Sequence, residues 1–238
     1  MQLLDYILWE PRYKWVDEKG EFVKPTVQQI FSEYFYRLNF FRDRRNLFPF
    51  FAWFLVWLLF PVFLIFIFKY FTIELAVAAF LYGLVLMASH GTMWYHRYAT
   101  HSAFVFKSKF WRFVSQHLVI KMIPKELYVV SHHVHHAKSD RPGDPYNAFG
   151  GFLYCFLADT NHQLMNRNLS KEDYQTACKM MEHTGCPMNS YEEYLRYGII
   201  VKPSYIIWSW ILNWIFWGTV FYLFGEYLQV QGGGWALV

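Results

Sequence analysis

Three long apolar runs set the frame of this chain. Leu47 to Phe68 contains no formally charged residue, and Leu75 to Tyr95 carries no Asp, Glu, Lys or Arg and a single histidine, His90. Pro203 to Phe224 is the third, with four tryptophans and a central Asn213. Helices of ~20 residues cross a bilayer core of ~30 Å, so each run predicts a membrane span. Pro49 falls in the first turn of span one, where proline is tolerated. Pro61 falls inside it and predicts a kink. The link Lys69 to Glu74 is short enough for an antiparallel hairpin. Lys107 to Ile123 shows apolar residues at helical spacing with cations on other faces, the pattern of a helix lying along the membrane interface. Asp159 to Arg196 is polar and charged and predicts a small soluble cap. No internal repeat or low-complexity segment is visible.

The expected fold is therefore all-α, an integral membrane helical bundle with a histidine-rich helical cap. Its expected parts are a segment at 1–46, a transmembrane hairpin at 47–95, an extramembrane segment at 96–202, and a third span with the start of a fourth at 203–238. The stop after Trp235-Ala236-Leu237-Val238, just beyond a triple-glycine break, predicts a truncated chain, because four residues cannot nucleate a helix. Lysine and arginine number eight in residues 1–46 and thirteen in residues 96–202, with only Lys69 in the hairpin and none after Lys202. Two spans separate the two basic regions, which places both on one side. By the positive-inside rule that side is the cytoplasm.

Composition narrows the chemistry. Apolar residues make up 55% and aromatics 23%, an aromatic share that points to lipid contact. Mean hydropathy is only +0.11, so the chain is not membrane helix throughout. A net charge of +4 without a basic run gives no ground for nucleic-acid binding. Cys155, Cys178 and Cys186 form no CxxC pair and no disulfide framework, which suits a reducing compartment and excludes a thiolate iron–sulfur or zinc-ribbon site. No signal-peptide pattern is visible at Met1 to Trp15.

Six of the ten histidines fall in two short windows, His96-Arg97-Tyr98-Ala99-Thr100-His101 and His132-His133-Val134-His135-His136. Neutral imidazole is a common ligand for iron, zinc and copper. Glu126 to Lys138 holds no glycine or proline, and on a helix His132, His135 and His136 share one face while His133 points elsewhere. Three imidazoles on one face bind metal, or they form a solvated polar surface. The first window spaces its histidines by five, which on a regular helix sets them well apart around the axis. They converge only if the helix ends between them or if they bind different atoms of one site.

Trp94 to His101 and Ser131 to His136, with the trailing Gly143-Asp144-Pro145-Tyr146-Asn147, resemble the first and second histidine boxes of the membrane fatty acid desaturases. Ser102 stands where many members carry arginine, and the third box of the family, HxxHH after a second hairpin, is absent before Val238. Continuation past Val238 is expected to hold a further span and that box. The resemblance implies a di-iron centre with His96, His101, His132, His135 and His136 as the ligands supplied here, dioxygen as co-substrate and a long-chain fatty acyl substrate. It also implies a separate electron donor such as ferredoxin or cytochrome b5, since no haem motif or cysteine cluster is present. The histidine boxes are then expected to face the cytoplasm.

Several residues carry plainer readings. His90 faces the bundle interior, in a core hydrogen bond or touching the metal site; His117 is structural, and His133 orients a neighbouring ligand or carboxylate. Lys138 and Arg141 lie on a solvated loop or meet a phosphate. Trp208, Trp210, Trp214 and Trp217 are belt and packing residues. The competing chemistry is acyl hydroxylation by a related di-iron monooxygenase. A different class is a non-catalytic metal-binding membrane protein or transporter, against which the nearly uncharged spans argue. An inactive fragment is the third possibility, and the missing third box makes it the expectation for this chain taken alone, whatever the full-length protein does.

Overall fold

The computed structural model describes residues 2–121, 125–230 and 233–234, apart from the side chains of Lys125 and Glu126. The apolar start expected at Trp235–Val238 lies outside the described residues. All regular structure among the described residues is helical, with isolated backbone bridges only. In chain order the α-helices are α1 (Val27–Leu38), α2 (Leu47–Ile65), α3 (Ile73–Leu86), α4 (Lys109–His117), α5 (Lys125–Lys138), α6 (Phe152–Phe156), α7 (Ala158–Asn161), α8 (Lys171–Lys179), α9 (Tyr191–Tyr197) and α10 (Pro203–Tyr227). Two π-helical stretches extend this set, Phe66–Tyr70 after α2 and Met87–Thr100 after α3. The continuous helices Arg44–Tyr70, Ile73–Thr100 and Pro203–Tyr227 are long and apolar enough to cross a membrane.

Two compact units divide the chain, Met1–Ala52 with Ile123–Pro203, and Trp53–Met122 with Ser204–Val238. The first unit is built by contacts between its two distant segments. Trp9 N–H donates to the Leu164 carbonyl and Asn166 N–H to the Ile7 carbonyl, each at 2.7 Å. Asn161, fully buried at the end of α7, donates to the Ile30 carbonyl of α1 at 3.0 Å. Arg37 and Arg167 both stack on Trp9, with guanidinium carbons 4.2 and 4.3 Å from ring centroids. Local sequence sets the helix limits. Thr26 caps α1 with Gln29 in a capping box, and Ser190 does the same for α9 with Glu193. Gly198, in the left-handed region at φ 72°, ends α9.

The second unit holds the helix Ile73–Thr100, the first span from Trp53 onward and α10 from Ser204 onward. Pro61 lies inside α2 and has no N–H to donate. The helix continues through it to Ile65 and then widens into the π turn. Asn213, buried in the middle of α10, explains its place in an apolar run by its bonds. Its side-chain oxygen accepts the Lys121 N–H at 2.9 Å and its amide donates to the Val119 carbonyl at 3.2 Å. Trp214 and Trp217 donate their indole N–H groups to the carbonyls of Lys121 and His117 at 3.0 and 3.1 Å. Tyr82, on α3, accepts the Ile120 N–H at 3.0 Å. The backbone between His117 and Lys121 is thus satisfied by side chains of two spans. Trp214 and Trp217 have bonding duties beyond belt and packing.

Candidate metal centre

The first histidine window lies on the π-helix Met87–Thr100. Polar and flexible residues loosen the α ladder there. Ser89 donates its hydroxyl to the Val85 carbonyl at 2.6 Å, and Thr100 donates to the Tyr95 carbonyl at 2.9 Å. Such back-bonding competes with the regular i→i−4 pattern. A π turn joins residue i to i+5, so a five-residue spacing that separates side chains on an α-helix brings them together here. The His101 N–H donates to the His96 carbonyl at 3.1 Å, and the rings stand 4.7 Å apart at 89°. A ring nitrogen of each lies within 4.8 Å of one on the other. The helix ends at once, with Ser102 in the left-handed region at φ 49°. Trp94, Tyr95, Tyr98 and Ala99 are buried and anchor the stretch, while His96 is half-buried and His101 exposed. His90, buried in the same stretch, packs its ring 4.7 Å from Tyr95.

The second window lies on α5. Val130, Ser131 and Val134 are buried and fix which side of the helix packs inward. His132, His135 and His136 then form a connected group of rings. His132 and His136 bring Nε2 atoms to 3.1 Å of one another, and His135 lies 5.8 Å from each by ring centroid. His133 follows His132 by one residue, about 100° around the axis.

Asp144 gives this group its direction. It is fully buried, and its carboxylate accepts the Asp140 and Tyr146 backbone N–H groups at 2.9 Å each. The same carboxylate meets His135 Nδ1 at 2.9 Å. A carboxylate only accepts, so Nδ1 carries a proton; in the neutral imidazole Nε2 then keeps its lone pair, the arrangement of a metal-binding imidazole held from behind. Gly143 makes the return possible. It sits at φ 90°, and a Cβ there would stand 2.9 Å from Lys138 Nζ. Tyr154 donates to the Asp144 carbonyl at 3.0 Å, and Tyr146 meets His135 edge-on at 5.6 Å. Burial pushes the Tyr146 phenol up to about 12, so it remains a neutral hydroxyl.

Behind this turn lies a residue that sequence reasoning passed over. His162 is fully buried, bonded through Nε2 to the Tyr13 hydroxyl and stacked on Tyr154 at 3.8 Å. Burial holds its imidazole far below the ordinary range, and it stays neutral. It supports the Asp144 turn by packing. An aromatic-rich N-terminal segment was the available signal, without anything to say which histidine it would meet. Asp144 was legible only as part of a trailing segment, not as the group that orients His135. Burial likewise pushes the Cys155 thiol up, which keeps it protonated beside the site and leaves imidazole as the donor.

Asp144→Asn is expected to weaken metal binding by ~10–100-fold, the usual cost of losing an outer hydrogen bond to a ligand. Both carboxylate oxygens accept backbone N–H groups, so an amide nitrogen at either place faces a donor and the grip on His135 Nδ1 loosens. Titration of purified protein with ferrous iron or cobalt checks it; unchanged affinity would remove Asp144 from the site.

No protein-family model matches the chain, and neither a curated protein nor a solved structure does.

Proposed function

We propose that the protein is an iron-dependent membrane fatty acyl desaturase, with His96, His101, His132, His135 and His136 as metal ligands on the cytoplasmic side of the bilayer. One observation carries this reading: the buried Asp144 carboxylate fixes the tautomer of His135 within an HxxHH helix. A merely solvated histidine face has no need of a buried carboxylate behind it. The donor set fits iron, being imidazole without thiolate. Bound iron would supply dioxygen activation and the removal of two hydrogens from adjacent carbons of an acyl chain.

The chain's own residues supply the rest. Asp144 keeps the Nε2 lone pair of His135 available, and the paired nitrogens of His132 and His136 offer two donors side by side. The π-helix holds His96 beside His101. Three apolar helices suit a substrate with a long alkyl tail, which partitions into the bilayer with them. Electrons come from a separate carrier of the ferredoxin or cytochrome b5 kind. The cytoplasmic assignment rests on the excess of lysine and arginine in residues 1–46 and 96–202.

The test is expression of the full-length protein in host membranes with added iron, followed by metal analysis of the purified protein and mass spectrometry of the total acyl chains. Iron in the protein and a new double bond are expected. A new hydroxyl in place of the double bond would reassign the chemistry to a monooxygenase. A protein that takes up no iron and leaves the acyl pool unchanged would overturn the reading.

A further inference from the structure

α4 is built inside out. Apart from Lys109 at its first position, its exposed residues are apolar: Phe110 at 64%, Trp111 at 58% and Phe113 at 60%. These match the exposure of Val62 and Phe63 on the first span, at 56% and 55%. Its buried residue is polar: Gln116, which donates to the Tyr205 hydroxyl at 2.5 Å. On the helix Phe110, Phe113, Val114 and Leu118 fall at i, i+3, i+4 and i+8 and form one continuous apolar arc, with Gln116 and Arg112 on the other side. A helix that lies on a water-facing surface buries the apolar arc and wets the polar one. This helix does the reverse.

The chain after α4 gives the depth. From His117 to Lys121 the backbone bonds to Asn213, Trp214 and Trp217, in the middle of α10, and to Tyr82, well inside the helix Ile73–Thr100. Asn213 is ~15 Å along its helix from Pro203 at ~1.5 Å per residue. In a hydrocarbon core of ~30 Å that is far from both surfaces. Irregular backbone at such depth survives only where protein groups satisfy it. Here they do. Lys121 is drawn in with it, buried and bonded through Nζ to Ser209.

We propose that residues 105–121 form a re-entrant segment that enters the hydrocarbon and is pinned there by Asn213, with Phe110, Phe113 and Leu118 in contact with lipid acyl tails. This differs from the interfacial placement expected for Lys107 to Ile123. It rests on the three helices spanning a bilayer, and it is independent of whether iron binds.

The experiment uses the whole protein in phosphatidylcholine vesicles. A lipid-soluble diazirine is photolysed with glutathione in the water as quencher, and carbene adducts are mapped by mass spectrometry. Phe110, Phe113 and Leu118 are expected to carry label at the level of Val62 and Phe63, unaffected by the quencher. In Asn213→Leu, which loses the side-chain bonds to Val119 and Lys121, label at Leu118 should fall while label at Phe63 stays. Quenching of the α4 adducts would place the segment at the water boundary and overturn the proposal. Low label at α4 beside full label at Phe63 would mean that protein covers the face, which also overturns it. Loss of label at Phe63 too would sink the spanning assignment and the re-entrant segment together.

Discussion

In the full-length protein, replacing His132, His135 or His136 with alanine is expected to remove nearly all iron and to abolish formation of unsaturated acyl product. The His132 and His136 rings present nitrogens 3.1 Å apart on the face of α5 that His135 shares, so each substitution deletes a direct donor. The same loss is expected for His96→Ala and His101→Ala, whose rings the π-helix pairs at 4.7 Å. His133→Ala should keep most of its iron, because its position is one residue off the shared face. A fall of ~10–100-fold in affinity is the range for an outer group, and His133 should not exceed it. Iron per chain and acyl product, measured on the same preparations, decide the matter. Equal loss of iron in His133→Ala and His136→Ala would show that the helical face does not define the ligands. Full retention of iron in His132→Ala would exclude the metal centre on α5.

The apolar pattern located the three long helices because burial in lipid is written in composition alone. Their ends were less legible. Span two was expected to stop at Tyr95, yet the helix runs to Thr100, since a π-helix carries the polar window forward without any apolar signal. That same geometry answers why His96 and His101 stand five apart, a spacing that a regular helix leaves unexplained. On α5 the shared face of His132, His135 and His136 followed from periodicity. The role of Asp144 did not, because it depends on a turn through Gly143 in the left-handed region and on the hydrogen bonds that bury the carboxylate. Asn213 was visible as a polar residue within a span, but its partners lie more than ninety residues earlier. The first unit was the least legible part. Trp9 meets Leu164 through a backbone bond, and the Asn161 side chain meets the Ile30 carbonyl, pairings that no local pattern announces.

Glu33→Ala is expected to destabilise the first unit by ~3–5 kcal/mol, the cost of leaving a buried charge without its partner. Glu33 is 1% exposed and Arg37 fully buried, and their side chains meet at 2.6 Å within α1. Burial alone lowers the pKa of Arg37, and the Glu33 carboxylate opposes that effect. The guanidinium also donates to the carbonyls of Trp9 and Glu10 at 2.9 Å each, so it cannot swing out to water without releasing the N-terminal segment. Arg12 reaches the other oxygen of Glu33 at 2.7 Å and would lose its partner too. Glu10→Ala is the comparison. Its pair with Lys14 is exposed at 38% and 65%, and such pairs contribute less than ~1 kcal/mol. Guanidinium chloride unfolding in detergent, followed by exchange of the α1 amides, separates the first unit from the spans. The double change Glu33→Leu with Arg37→Met should recover much of the loss, because it removes both charges and keeps the volume apolar. If Glu33→Ala shifts the α1 transition no further than Glu10→Ala, the buried pair does not hold α1 to the N-terminal segment. The stacking of Arg37 and Arg167 on Trp9 would then have to do so alone.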